Sequence, residues 1–169
     1  YLEEIHDRVR ALLPDFELSV IGTDAPRWLL EWQQPGVRVL GSVPALDAPF
    51  ARARLSIAPL RFGAGVKGKI NTSQSHGVPV VATTIGVEGM QLVHGESVWV
   101  ADAPAAFAAG VARVHEEEAL WTRLAEGSRR NLAEHFSAAR ARRGIEGLLA
   151  DLTQAGRVDE RGRKPPAVY

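Results

Sequence analysis

Leu55–Thr84, LSIAPLRFGAGVKGKINTSQSHGVPVVATT, reads as a short apolar strand, a glycine-rich basic loop, a polar helix and a second apolar strand. The loop carries Arg61, Lys67 and Lys69 around Gly63, Gly65 and Gly68. Glycine lets the backbone turn tightly and approach a ligand closely. A helix that begins there turns its first N–H groups toward the loop. Such an arrangement binds a phosphate or diphosphate. The helix is expected from about Lys67 to His76, ending at Gly77, a common residue just past a helix C-terminus.

Glycine spacing by itself does not choose the ligand. Gly63, Gly65 and Gly68 match the dinucleotide fingerprint, with Glu88 downstream as the ribose acid. Gly63, Gly68 and Lys69 match most of a P-loop, but Ile70 stands where Ser or Thr must hold Mg²⁺. Both motifs place the first glycine directly after the strand, whereas Pro59-Leu60-Arg61-Phe62 intervenes here. The dinucleotide fingerprint also opens its sheet, and two strand–helix units come first in this chain.

Working outward, short apolar runs alternate with helical patterns. Strands are expected at Glu17–Ile21, Val37–Leu40, Leu55–Ala58, Pro79–Ala82 and Val98–Val100. Helices are expected over Leu2–Leu13, Pro26–Gln33 and Leu46–Arg52, and from Ala103 to about Leu152. Strand–helix alternation implies a parallel sheet with right-handed crossovers and helices on both faces. Ligands of such sheets sit beyond the carboxyl ends of the strands, where the Gly63 loop lies. The expected organisation is one Rossmann-like domain over residues 1–153, then a polar tail, 154–169, with two prolines and no fold of its own.

Composition narrows the partners. Lys and Arg total 20, Asp and Glu total 20, so no net field points to nucleic acid or an anionic membrane. The local cluster at Arg61–Lys69 suits one small anion better than a polyanion. There is no cysteine, so disulfides and thiolate metal sites are excluded. The five histidines lack ligand-like spacing and are read as surface residues, His76 as the helix-terminal one. Trp28, Trp32, Trp99 and Trp121 are read as core or interdomain packing. No run is long enough to span a bilayer and no signal peptide is visible, so the expected location is the cytoplasm, up to the inner face of the membrane.

Several segments, in order, carry a resemblance. APLRFGAGVKGKIN and GVPVVATTIGVEGM, His94–Asp102, and LWTRLAEGSRRNLAEHF (Leu120–Phe136) resemble the C-terminal nucleotide-sugar domain of a GT-B glycosyltransferase of the retaining family 4 type, the glycosyl transferases group 1. FELSVIG, VRVLGSVP and ARARLSIAPL resemble its earlier strands, so the likeness runs from Tyr1 to about Leu149. It implies a hexosyltransferase-like domain that binds a nucleoside-diphosphate sugar for retaining transfer to a hydroxyl acceptor in surface polysaccharide biosynthesis. It implies no metal or other cofactor, and an N-terminal acceptor-binding domain in the same full-length protein. The isolated fragment is then expected to be inactive.

The resemblance also assigns residues. Arg61, Lys67 and Lys69 become candidates for the donor phosphates; Gly63, Ala64 and Gly65 for backbone contacts to the sugar. Glu88 becomes a candidate for the donor sugar, and Gly22 a substrate-binding candidate beside which an aromatic could stack on the nucleobase. Similar enzymes carry one glutamate in the glycine loop and another on the following helix; the matching positions here are Ala64 and Thr72. That departure keeps a degenerate, non-catalytic docking module open beside the transferase, as the glycines keep an NAD-type domain open. The family also begins its domain one strand earlier, with a glycine-containing loop. The sheet is therefore expected to lack its first strand or to borrow one.

Overall fold

The computed structural model describes residues 1–32 and 34–157. Their elements are α1 (His6–Leu12), β1 (Leu18–Ile21), α2 (Arg27–Leu30), β2 (Val37–Gly41), α3 (Asp47–Arg52), β3 (Ser56–Ala58), α4 (Gly68–Ser75), β4 (Val80–Ala82), α5 (Thr84–Val87), β5 (Trp99–Val100), α6 (Pro104–Glu116), α7 (Glu118–His135) and α8 (Ala138–Arg157). The five expected strands form within a residue or two of their expected ends. The one unexpected element is α5, a single turn whose Gly86 and β-branched Thr84, Ile85 and Val87 give no helical signal.

Every strand pairing is parallel, and the strands fall into two sheets, β1–β2 and β3–β4–β5. The break lies between β1 and β3. β4, paired on both sides, is buried throughout, whereas β1, β2 and β3 are largely half-exposed.

The core lies on one face of the larger sheet. Val81 of β4 packs with Val9 of α1, Phe107 and Val111 of α6, and Leu120 and Leu124 of α7. Side chains alternate along a strand, so Val80 and Ala82 point to the opposite face. There a Cβ on Gly86 of α5 would lie 3.3 Å from the Ala82 Cβ. Helices thus cover both faces, as the alternating pattern implies.

The chain divides into two compact units, the first ending at Leu132 and the second starting at Ala133. The second holds α8, whose exposed Ile145, Leu148, Leu149 and Leu152 form a stripe at helical spacing. α8 runs through Arg157; the rest of the expected tail lies outside the described residues.

One expectation, a surface position for His6, is corrected. His6 is fully buried, its Nε2 3.0 Å from the Pro35 carbonyl oxygen, because α1 turns that side inward. Trp28 is exposed and meets Trp32 edge-on at 6.1 Å. Trp99 and Trp121 do pack, under the guanidinium groups of Arg113 and Arg54 respectively.

Candidate functional site

Three connections meet beyond the carboxyl ends of β3, β4 and β5. From β3 the chain enters the loop Pro59–Val66 and then α4. Gly63 (φ 139°) and Gly65 (φ 71°) both take conformations that side chains disfavour, and the space where a Cβ would stand is open at both. Phe62 is 86% exposed, so this loop is not packed down by its neighbours.

After β4, the Thr83 hydroxyl donates to the Leu60 carbonyl at 2.6 Å and accepts the Gly86 N–H at 3.2 Å, tying the start of the loop to α5. After β5, Asp102 accepts the Thr84 N–H at 2.8 Å and its hydroxyl at 2.7 Å. Those bonds hold the Asp102 carboxyl below the usual carboxylate range, the hydroxyl contributing most.

Lys67 stands at the N-cap of α4 without a side-chain cap. Its carbonyl accepts from Ile70 and Asn71, but no partner takes the N–H of Gly68 or Lys69 among the described residues. These are the orphan donors of a helix start, at the positive end of its dipole.

The cations take different positions. Lys67 is only 7% exposed, its N–H on the Met90 sulfur at 3.3 Å and its Nζ 3.5 Å from the Glu88 carbonyl oxygen. No carboxylate pairs with it among the described residues. The Met90 contact draws this N-cap residue inward. Lys69, two positions on, is exposed and lines the cleft between the two sheets, as does Thr72.

Arg61, itself exposed, is paired with Glu4, and the pairing lowers the Glu4 pKa, chiefly through the hydrogen bond. The Thr72 hydroxyl donates to the Gly68 carbonyl at 2.9 Å, an ordinary bond back along the helix. Gly22 gives its N–H to Gly41 at 2.9 Å and borders a separate small cavity. Glu88 caps α5 with an exposed side chain and reaches the site through its carbonyl. Ala64 lies exposed between the two glycines. The structure thus brings Lys67 against the Glu88 carbonyl, with Gly63, Ala64 and Gly65 just ahead of it on the same loop, while Lys69 and Thr72 line the cleft between the sheets and Gly22 borders a separate cavity.

A family model described as glycosyl transferases group 1 matches residues 1–117. The chain belongs to that family. Among solved structures, this glycosyltransferase domain is similar to HepE from Anabaena in complex with UDP, with TM-score 0.72 and 15% identity. HepE with UDP and glucose gives 0.70 and 14%, and HepE with UDP-glucose gives 0.63 and 15%. Each likeness covers 89% of this chain and 46% of the HepE chain, so the domain spans about half of HepE's length. At that identity the likeness establishes the fold, the parallel α/β arrangement of a GT-B glycosyltransferase. No curated protein matches.

Reading the glycosyltransferase domain from its sequence passes over Thr83, Thr84 and Asp102. The signal that could have found them is positional, because polar residues directly after two adjacent parallel strands share the ligand edge. Among the described residues no helix is long and apolar enough to cross a membrane, and no acidic or histidine cluster could hold a metal ion.

Proposed function

We propose that this domain holds the nucleoside-diphosphate sugar of a glycosyltransferase, with the diphosphate at the N-terminus of α4. Lys67 carries the proposal. A buried ammonium facing only a carbonyl is costly unless an anion joins it. The unpartnered Gly68 and Lys69 amides and the open Gly63 and Gly65 backbone lie on the same stretch of chain. Together they offer charge-assisted hydrogen bonds to phosphate oxygens. HepE, with the same fold, was crystallised with UDP and with UDP-glucose, so a UDP-sugar is the donor to test first.

In transfer, the helix dipole and Lys67 would stabilise charge as it develops on the departing diphosphate. Retaining transfer to a hydroxyl of a surface polysaccharide, and a second domain that brings the acceptor, complete this reading on family grounds. Titration calorimetry tests it: UDP and UDP-glucose should bind the wild-type chain and lose at least tenfold in affinity with Lys67→Met. Binding of NAD with no binding of UDP would favour the dinucleotide reading.

A second reading rests on Thr72 and Ala64, which supply no carboxylate, while the Thr72 O–H is committed to Gly68. A docking module that has lost its donor site would bind neither UDP nor UDP-glucose. The same titration separates it.

A further inference from the structure

We infer that His94 is a proton-operated latch on β5: unprotonated, its ring caps the outer edge of the strand and steadies the end that carries Asp102; protonated, it lets go. The inference rests on the fold and not on the donor proposal.

β5 ends its sheet, paired with β4 and with no strand beyond it among the described residues. Ala101 gives its N–H to Ala82 at 2.9 Å. Alternate residues of a parallel ladder face opposite neighbours, so the Val100 N–H turns outward, to the open edge. There it meets a side chain. The segment ahead of β5 makes a turn in which Gly95 donates to the Val98 carbonyl at 2.8 Å, and the Val100 N–H donates to the His94 Nδ1 at 3.0 Å. The imidazole also lies against Trp99, with 4.6 Å between ring centroids.

A backbone N–H can only donate, so the Nδ1 that receives it holds no proton, and the neutral ring carries its own on Nε2. A second proton must go to Nδ1. Two donors would then stand face to face, and the bond to Val100 would be lost. Imidazoles in ordinary surroundings take up that proton at about pH 6.5. His94 is exposed, so the proton comes directly from solvent. The charged groups around it are Arg113 of α6, Arg123 of α7 and the exposed Glu96 of its own turn. Arg113 lies over Trp99 and is paired with Glu117, while Arg123 donates to the Gly95 carbonyl at 2.8 Å. Among the described residues no carboxylate pairs with the His94 ring, so none holds it in place once it is protonated.

The strand end so held reaches the ligand edge. Two residues past Val100, Asp102 accepts both donors of Thr84, and the adjacent Thr83 ties the Leu60 carbonyl at the start of the glycine loop. The Asp102 carboxyl is held below the usual carboxylate range, so it stays ionised where imidazole titrates. Loosening of this edge in that range therefore comes from His94 and not from protonation of Asp102.

Hydrogen exchange of the full chain, read by NMR as protection factors at about pH 8 and about pH 5.5, tests the latch. In the wild type the Val100 and Thr84 amides should each lose at least about threefold in protection at the lower pH, the effect of one ordinary hydrogen bond. Ring-nitrogen shifts should place the His94 proton on Nε2 at the higher pH. His94→Asn sets an amide oxygen near the place of Nδ1 and does not titrate, while the other four histidines remain. It should keep both protections at both pH values. His94→Phe keeps a ring for Trp99 without an acceptor and should show the low protection at the higher pH already. Equal Val100 protection at the two pH values in the wild type would overturn the inference. So would the same loss in His94→Asn, which would put the titrating group elsewhere, or a loss at Val100 that leaves Thr84 untouched.

Discussion

Asp102 takes both hydrogen bonds that Thr84 can donate, 2.8 Å from the backbone N–H and 2.7 Å from the hydroxyl, and so clasps the carboxyl ends of β4 and β5. Only an ionised carboxylate accepts both without competition from its own proton. Because the folded-state pKa is depressed, the unfolded chain binds the proton more readily. The clasp therefore contributes fully above the ordinary Asp pKa of about 3.9, and its contribution is lost as pH falls below that toward the depressed value. The carboxylate is exposed, so the expected size is at most about 1 kcal/mol. Urea unfolding of wild type and Asp102→Ala at pH 6 and pH 3 should show the difference shrinking at the lower pH.

Lys67→Met should separate binding from stability. Loss of a charge-assisted contact costs about 1.5–3 kcal/mol, or roughly 10- to 150-fold in affinity for UDP. The melting temperature should hold or rise, because an unpaired buried cation is replaced by an apolar side chain of similar length. Lys69→Met, exposed on the cleft side, should change UDP affinity less than threefold. Calorimetry and a thermal scan on the two variants give both readings.

Gly127→Ala reverses the usual rule for a helix interior. Alanine in place of glycine normally stabilises a helix by about 1 kcal/mol. In α7 the added Cβ would stand 2.0 Å from the Glu96 carbonyl oxygen, which is backbone and cannot swing aside. The expected outcome is destabilisation by about 1–3 kcal/mol through forced separation of α7 from the Glu96–Ser97 turn. Denaturant midpoints at constant slope would establish it.

The 169-residue chain should bind donor without transferring sugar. Orienting an acceptor against the donor is worth roughly 7–11 kcal/mol of barrier in favourable cases, and the proposed acceptor site belongs to a second domain. A radiolabelled UDP-sugar with a lipid-linked acceptor extract, assayed against the full-length protein, measures this. Comparable turnover by the two would remove the need for that domain.

Much of this was determined by the sequence alone, because it is local. The apolar runs at Val37–Leu40 and Pro79–Ala82 and the break at Gly77 act within a few residues, so strands and most helices are legible from periodicity and turn chemistry. Gly63 and Gly65 announce a left-handed loop for the same reason. What only the tertiary structure decided joins residues distant in the chain. Lys67 is buried because Met90 lies against its amide, Arg61 is taken by Glu4, and Thr84 finds Asp102 across two strand ends. None of these partners is marked by spacing, since a side chain's charge and length say what it can pair with and not what the fold will bring to it. The break between β1 and β3 is of the same kind: each strand's pattern specifies its faces, while pairing belongs to the backbone of a neighbour.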